Sequence, residues 1–205
     1  MVEDRYLTIK NEAVVETKVK GSRFIAESCM VADVASAQMR LEQIRKREYA
    51  ATHHCFAYRV GALPEIVFKY SDDGEPTGTA GKPIYNVVAG ADLTSVLLVV
   101  TRYFGGTKLG PGGLTRAYGS AAQAVVEQSG IRENFVTQRF RMTIDFSHYE
   151  LWRALMNNIE ATVLTTNFST DVVMEVAVRA GRSEQLRAAF VELTAGRGII
   201  EPLAE

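Results

Sequence analysis

The residues best suited to chemistry lie in two glycine-rich loops, Ser71–Pro83 and Tyr103–Gly113. The first loop places three carboxylates within four positions, at Asp72, Asp73 and Glu75. Carboxylates at this density could hold a cation, or they could accept hydrogen bonds from the amides of their own loop. Because their spacing fits no calcium-binding loop, we expect the loop to satisfy its own amides.

The second loop lies in a stretch of locally positive charge. No acidic residue occurs between Leu93 and Val126, whereas Arg102, Lys108 and Arg116 all occur there. The glycines before the following helix leave free amides at its N-terminus, and such amides attract phosphate. This pattern predicts an anion-binding site. The alternative is that Arg102 and Lys108 pair with the carboxylates of the first loop and form a structural network, and the sequence is compatible with both arrangements.

Both loops contain more glycine than a tight turn requires, which favours a functional surface over simple turns. We predict one ligand- or anion-binding surface, to which a strand with two adjacent histidines also contributes. Its residues are His53, His54, Asp72, Asp73, Glu75, Thr77, Thr79, Lys82, Arg102, Tyr103, Phe104, Gly105, Gly106, Lys108, Gly112, Gly113 and Arg116. We predict no metal site or cofactor, because a metal role for the histidines would need further ligands at suitable spacing, for which Asp72, Asp73 and Glu75 are the only candidates. We assign no catalytic residue, because the sequence has no nucleophile elbow and no clear Ser/His/Asp order.

Composition excludes several classes of protein. The formal net charge is −1, so an anion site must be local and cannot come from an overall basic field. The two cysteines are too few for a disulfide framework, and Cys55 is expected to be a small buried apolar residue, not a nucleophile. Met1–Lys10 lacks the apolar core of a signal peptide, and no apolar run reaches membrane-spanning length. We therefore expect a cytoplasmic protein without a membrane partner.

The first half of the chain shows the periodicity of a hairpin, a helix and a strand. Ala13–Val19 and Arg23–Val31 predict a β-hairpin. Asp33 is the expected N-cap of a helix whose apolar residues recur at helical spacing. His53–Val60 predicts a strand whose two faces carry alternating side chains. One of its two histidines should therefore lie near the end of the sheet, beside the loops.

The loops themselves are flanked by further elements. We expect a turn at Leu63-Pro64, a strand at Ile66–Tyr70 and a helix that begins at Pro83 and includes Leu93 in its apolar face. Thr94–Thr101 is the most hydrophobic run and predicts a central strand buried on both faces. A helix starting near Gly112 should pack these residues inward: Leu114, Ala117, Ala121, Ala124 and Val125.

The pattern changes after Asn134, so we predict domains at 1–134 and 135–205. The second domain reads as strand, helix, strand, strand, helix and a last short strand, which predicts a ferredoxin-like sandwich. Ser147 and Glu150 are spaced as a capping box for its first helix, and Ser183 is the expected cap of its second. The overall fold class is α+β.

The loop sequences SDDGEPTGTAGKP and VTRYFGGTKLGPGGLTRAY resemble the signature of the YigZ/IMPACT family, and Ser22-Arg23-Phe24 and HHCFAYR at His53–Arg59 agree with it. One departure is Pro111, where the family pattern has a small hydroxyl residue. The resemblance implies an N-terminal domain with the fold of the second domain of ribosomal protein S5. It also implies a C-terminal domain similar to the ferredoxin-like domain V of elongation factor G.

The resemblance also implies a function, because eukaryotic members of the family are linked to translational regulation. The leading hypothesis is a translation-associated factor that binds nucleic acid, the ribosome or a translation-related protein. The local cations with Tyr103 and Phe104 could hold a phosphate backbone and stack a base. One alternative is an enzyme that acts on a phosphorylated small molecule through the glycine loops, although the P-loop pattern is absent. A protein-binding regulator is the third hypothesis.

Overall fold

The computed structural model describes residues 4–61 and 65–203, so the turn predicted at Leu63-Pro64 lies outside the described residues. The chain divides into two compact units. The N-terminal unit is Tyr6–Asn134, and the C-terminal unit is Phe135–Glu205 together with the first five residues. Each unit has hydrophobic core clusters of its own.

The N-terminal unit contains most of the elements. They are β1 (Arg5–Ile9), β2 (Ala13–Val19), β3 (Ser22–Met30), α1 (Val34–Arg47), β4 (His53–Val60), β5 (Val67–Ser71), α2 (Gly81–Gly90), β6 (Val96–Tyr103), α3 (Pro111–Ser129) and β7 (Ile131–Phe135). β1 and β7 form a two-stranded sheet, and neither strand was expected from the sequence. The hairpin, the first helix and the histidine-bearing strand occur where they were predicted.

A five-stranded antiparallel sheet with the order β2-β3-β6-β4-β5 forms the centre of this unit. Its middle strand is β6, which the apolar run predicted to be central and buried on both faces. Leu97 and Val99 belong to the core under α1, whereas Val96, Leu98 and Val100 belong to the core under α2 and α3. The sheet is therefore the middle layer of three, and both glycine loops leave it at the end where β6 finishes.

The helices beside the loops differ from the prediction in detail. α2 begins at Gly81, two positions before Pro83, and it ends at Gly90, so Leu93 is buried in the segment after the helix. Pro83 is tolerated in the first turn because an N–H there needs no partner within the helix. α3 begins at Pro111, as the physical preference for proline at a helix start allows. Ala124 is only half-buried.

The C-terminal unit contains β8 (Thr137–Ile144), α4 (Phe146–Ile159), β9 (Thr162–Phe168), β10 (Val172–Arg179), a 3-10 turn (Ala180–Arg182), α5 (Ser183–Thr194) and β11 (Ile199–Leu203). Its sheet is antiparallel with the order β11-β8-β10-β9. Alternate residues of β8 and β10 point towards the two helices and form a core around Trp152. The whole chain is thus a mixed α and β structure with antiparallel sheets.

Both helix caps predicted in this unit were wrong. α4 is preceded by Asp145, and the Ser147 hydroxyl lies 3.2 Å from His148 Nδ1 instead of capping the helix. Ser183 is already the first residue of α5, and its hydroxyl donates to the Ala180 carbonyl oxygen at 2.8 Å. The pairing of β8 with β10 ends at Ile144, so the chain is free to turn into the helix earlier than predicted.

The turn between β2 and β3 approaches the second glycine loop so closely that Gly105 has no room for a side chain. A Cβ atom on Gly105 would lie 1.9 Å from the carbonyl carbon of Gly21. We expect Gly105→Ala to lower the free energy of unfolding by about 1–3 kcal/mol, the usual cost of overpacking. Urea titration followed by circular dichroism measures this change.

Gly112→Ala is the matched control, because a Cβ atom there would meet no atom within 4 Å. Since Gly112 lies within α3, alanine should raise the free energy of unfolding by about 0.5–1 kcal/mol. Equal stabilities of the two variants would contradict the close approach of the β2–β3 turn to the second glycine loop.

Candidate functional site

The Asp72 side chain forms its hydrogen bonds within the first loop and the start of α2. Its carboxylate accepts hydrogen bonds from the amides of Gly78 at 2.8 Å, Ala80 at 3.0 Å and Gly81 at 2.8 Å. The last two amides lie at the N-terminus of α2, where no side chain at the cap position supplies an acceptor. A carboxylate is favourable at this end of a helix because of the helix dipole. For Asp72 the expected self-satisfied loop is what the structure contains.

Asp73 attaches the same loop to β4 and α1. Its carboxylate accepts from the His54 amide at 2.7 Å and from Arg45 Nη2 at 3.0 Å. Its carbonyl oxygen lies 2.8 Å from His53 Nδ1. Asp73 has a φ of 45°, in the left-handed region that aspartate adopts more readily than most residues. Arg45 was not among the predicted residues, because it belongs to a charged helix end that resembles a solvated face.

Glu75 joins the first loop to the end of β6. Its Oε1 accepts hydrogen bonds from Arg102 Nη1 at 2.6 Å and from the Tyr118 hydroxyl at 2.7 Å. His53 Nε2 lies 3.9 Å from the same oxygen. Both ends of the ion pair are buried, and burial also raises the pKa of Tyr118 above its ordinary value. This ion pair therefore joins the first glycine loop to the end of β6, directly before the second glycine loop.

Arg102 is enclosed by the fold, with only 5% of its surface exposed. Its Nη2 donates to the Ser22 hydroxyl at 3.2 Å, and that oxygen also accepts from the Gly105 amide at 3.2 Å. The guanidinium carbon lies 5.5 Å from the centre of the Phe24 ring and 5.4 Å from that of Phe104. Arg102 therefore pairs within the fold, as the alternative to anion binding predicted for it. Lys108, which the same alternative also paired with the first loop, is exposed and forms no ion pair with a described residue.

Tyr103 and Thr79 are also occupied by contacts within the fold. The Tyr103 hydroxyl donates to Glu48 Oε2 at 2.8 Å, and this bond lowers the pKa of the Glu48 carboxyl and raises that of Tyr103. The Arg23 guanidinium lies over the Tyr103 ring, 4.3 Å from its centre. Thr79 is buried and donates to the Pro76 carbonyl oxygen at 2.7 Å.

The remaining predicted residues face outward. Phe104 is 47% exposed, and Lys108 and Arg116 are exposed as well. The exposed predicted residues also include Thr77, Lys82, Gly105, Gly106 and Gly112. None of these outward side chains forms a hydrogen bond with Glu75 or Arg102, and only the Gly105 amide forms a hydrogen bond to their network, through the Ser22 hydroxyl. The predicted set therefore divides into an internal network and an external surface.

A cavity of about 290 Å³ lies beside the N-terminal turn of α3. It is lined by Thr17, Val19, Lys20, Leu109, Gly113, Arg116, Ala117 and Ser120. Two of these side chains are cations, two carry hydroxyls, and Gly110 at the helix start provides no side-chain cap. Lys20 was missed by the sequence analysis, although its position in the turn of the predicted hairpin was a usable signal. The cavity has the donors that an anionic group requires.

Neither cysteine has the surroundings of a nucleophile. Cys29 and Cys55 are both buried and free. Burial raises the pKa of the Cys29 thiol to about 11 and raises that of Cys55 as well. Within the described residues there is no group of three or more His, Cys, Asp or Glu side chains placed to hold a metal ion.

Comparison with known proteins agrees with this fold and these loops. Residues 20–126 match the model of the Impact N-terminal domain, and residues 142–197 match a domain of unknown function, DUF1949. A two-domain protein with an Impact-type N-terminal domain is the class that the sequence and the structure define. The chain belongs to the IMPACT family, so the resemblance noted in the sequence is confirmed.

Similar proteins span nearly the whole chain. The IMPACT family member YvyE of Bacillus subtilis is 33% identical over 96% of this chain and 90% of its own length. YigZ of Escherichia coli is 30% identical over 93% of each chain. A crystal structure described as that of a hypothetical protein has a TM-score of 0.71 at 27% identity, with all of both chains covered. Within the described residues, no helix has the length and hydropathy needed to cross a bilayer.

The Glu75–Arg102 pair yields a direct test. Arg102→Met would leave the Glu75 carboxylate buried without its cation, so we expect the free energy of unfolding to fall by about 3–5 kcal/mol. Adding Glu75→Gln should restore part of this loss, because the double variant buries no unpaired charge. Urea unfolding of the single and double variants measures the coupling between the two residues.

The control for this cycle is Arg116→Met, which removes an exposed cation and should change stability by less than about 0.5 kcal/mol. Additive effects of the changes at Glu75 and Arg102 would show that the two side chains are not coupled.

The raised pKa values predict slow thiol chemistry. With both thiols protonated and buried at pH 8, the folded protein should react with iodoacetamide far more slowly than the urea-unfolded chain does. Mass spectrometry of time points locates the modified residue. Rapid labelling of Cys55 in the folded state would contradict its assignment as a buried structural residue.

Proposed function

We propose that this chain is a translation-associated regulatory factor that binds RNA, in the ribosome or free of it, through the outer surface of the second glycine loop. Membership of the IMPACT family supports the link to translation, because the family resemblance implies a regulatory role there. We further propose that the protein acts in the cytoplasm. The proposal concerns binding, with no reaction assigned to the loops.

The observation that carries the proposal is the division of charge at the two loops. Asp72, Asp73 and Glu75 all point into the fold, where amides, Arg45 and Arg102 satisfy them. The exposed side of the second loop retains Lys108 and Arg116. A chain of net charge −1 therefore presents a local cationic surface, which is what a phosphate backbone requires.

Phe104 adds a means of contacting a base. Its ring is half-exposed, and its centre lies 5.4 Å from the buried Arg102 guanidinium carbon. Base stacking on an aromatic ring contributes about 1–3 kcal/mol per base in single-stranded complexes. An exposed aromatic ring in the same loop as the exposed Lys108 supports single-stranded or loop RNA as the ligand, because bases are accessible for stacking only when they are unpaired.

The two units support the same interpretation at the level of architecture. We propose that the N-terminal unit has the S5 domain 2-like fold implied by the family resemblance. The C-terminal unit has the element order of a ferredoxin-like sandwich, and its sheet order β11-β8-β10-β9 places the first and third strands side by side in the centre. On this basis we propose similarity to domain V of elongation factor G. Fold similarity alone does not fix function, so the loops remain the basis of the proposal.

The test is sedimentation of a tagged copy from cell lysate through a sucrose gradient, beside the variant Lys108→Ala/Arg116→Ala. We expect the unchanged protein to migrate with ribosomal particles, and the variant to remain near the top of the gradient. In titrations with single-stranded RNA, loss of two cationic contacts should make the salt slope shallower by about 1.4.

The matched control is Lys10→Ala/Arg132→Ala, which removes one lysine and one arginine from exposed positions away from the loop. Lys10 lies beside Gly130, beyond the opposite end of α3. Absence of the unchanged protein from ribosomal fractions at low salt, together with no binding to single-stranded RNA, would contradict the proposed function. Equal losses of RNA binding in both double variants would show that binding depends on the overall charge and not on this surface.

A further inference from the structure

The strand β5 leaves one edge of the five-stranded sheet open. Within the described residues no strand pairs with its outer side. An edge strand presents N–H and C=O groups that an added strand can use. β5 also exposes large apolar side chains, with Phe68 52% and Tyr70 40% exposed. On the opposite edge, by contrast, the inward residues of β2 are half-buried and pack against the core.

One face of β5 adjoins a cavity of about 420 Å³ under α1. The cavity is lined by Ala37, Gln38, Leu41, Glu42, Arg45, Phe56, Tyr58, Lys69 and Ser71. Tyr58 is paired with Lys69 and Phe56 with Ser71, so these side chains share one face of the sheet. The floor of the cavity is apolar, and its rim is charged. A side chain that projects from a strand added to β5 on this face would point towards the cavity.

The other face of β5 carries an aromatic cluster. The Phe68 and Tyr85 rings stack with their centres 4.8 Å apart, and the Tyr70 ring lies 5.5 Å from Tyr85. Tyr85 belongs to α2, so the cluster lies along the line where the helix meets the sheet edge. Side chains of an extended chain alternate between the two faces of a sheet. An added strand would therefore place one set of residues near the cavity and the other set on these rings.

The charge on β5 indicates which kind of strand can pair with this edge. Lys69 lies at the centre of β5 and forms no ion pair with any described residue, whereas Arg45 already binds Glu42 at 2.8 Å and Asp73 at 3.0 Å. A second copy paired through β5 about a two-fold axis would bring Lys69 close to its own counterpart. Like charges opposite each other destabilise a strand pair, and a central lysine is a common protection against such pairing. The lysine thus disfavours pairing of β5 with β5 of a second copy, and it favours an added strand with acidic side chains.

We propose that β5 binds an extended peptide segment of a partner protein, which adds a sixth strand to the sheet. Acidic side chains of the segment face Lys69 on the side of α1, and apolar or aromatic side chains contact Phe68, Tyr70 and Tyr85. Main-chain hydrogen bonds to β5 supply affinity, and the two faces supply sequence preference. This site is separate from the RNA-binding surface of the second glycine loop, and it does not depend on that function.

The probe is a fluorescein-labelled synthetic peptide in which glutamate and valine alternate, and fluorescence anisotropy measures its binding to the full-length chain. Lys69→Glu should weaken binding by about tenfold, since it replaces an attraction with a repulsion. The same variant should bind a peptide of alternating lysine and valine more tightly than the unchanged protein does. Lys18→Glu, on the opposite edge strand β2, is the matched control and should leave binding within about twofold.

A second measurement tests the added strand itself. N-methylation of every other peptide residue should abolish binding in one of the two possible frames and have little effect in the other, because alternate N–H groups point towards β5. Amide signals of β5 should move in NMR spectra on addition of the probe. Equal loss in both frames, equal affinities of the Lys69→Glu and Lys18→Glu variants, or a concentration-dependent dimer that excludes the peptide would each overturn the proposal.

Discussion

The ion pair between Glu75 and Arg102 is the contact through which the two glycine loops are held together. Removing two charges from water is costly, and a buried pair is stable only when further hydrogen bonds satisfy its atoms. Here the Tyr118 hydroxyl supplies a second donor to the carboxylate, and Ser22 accepts from the guanidinium, whereas the buried Arg102 Nε has no acceptor among the described residues. The pair therefore joins the first loop, the end of β6, α3 and the β2–β3 turn in a single network.

This network also determines which charges reach the surface. The carboxylates of the first loop accept hydrogen bonds from donors within the fold, and one of them, Glu75, forms the ion pair with Arg102. Lys108 and Arg116 remain exposed, and the sequence between Leu93 and Val126 contains no acidic residue that could neutralise their charge. A chain with almost no net charge can in this way display a cationic surface at one end of its sheet, so its total charge is a poor guide to its partners.

Local pattern predicted the elements well, because hydrophobic periodicity is a local property. The predicted alternation in His53–Val60 is observed, because Cys55 and Ala57 lie in one core and Phe56 and Tyr58 lie in the other. The capping box at Ser147 failed since a spacing rule cannot show where the pairing of β8 with β10 will end.

Long-range partners were much harder to predict. The sequence suggested that Arg102 meets the acidic loop, but it could not identify Glu75 as the partner, because the choice depends on the three-dimensional path of the loop. Arg45 and Tyr118 were missed for the same reason. Each lies on a helix whose own sequence gives no sign of the distant carboxylate that it binds.

Glycine occurs in the second loop for two different physical reasons, and the difference is relevant to function. Gly105 is required by the fold, because any side chain there would collide with Gly21. Gly112 has no such requirement, since a Cβ atom would meet nothing within 4 Å and its φ lies outside the left-handed region. Glycine inside a helix costs about 0.5–1 kcal/mol relative to alanine, so stability does not account for it. Under the proposed function, a phosphate that approaches the backbone closely in the first turn of α3, beside Arg116, would account for it.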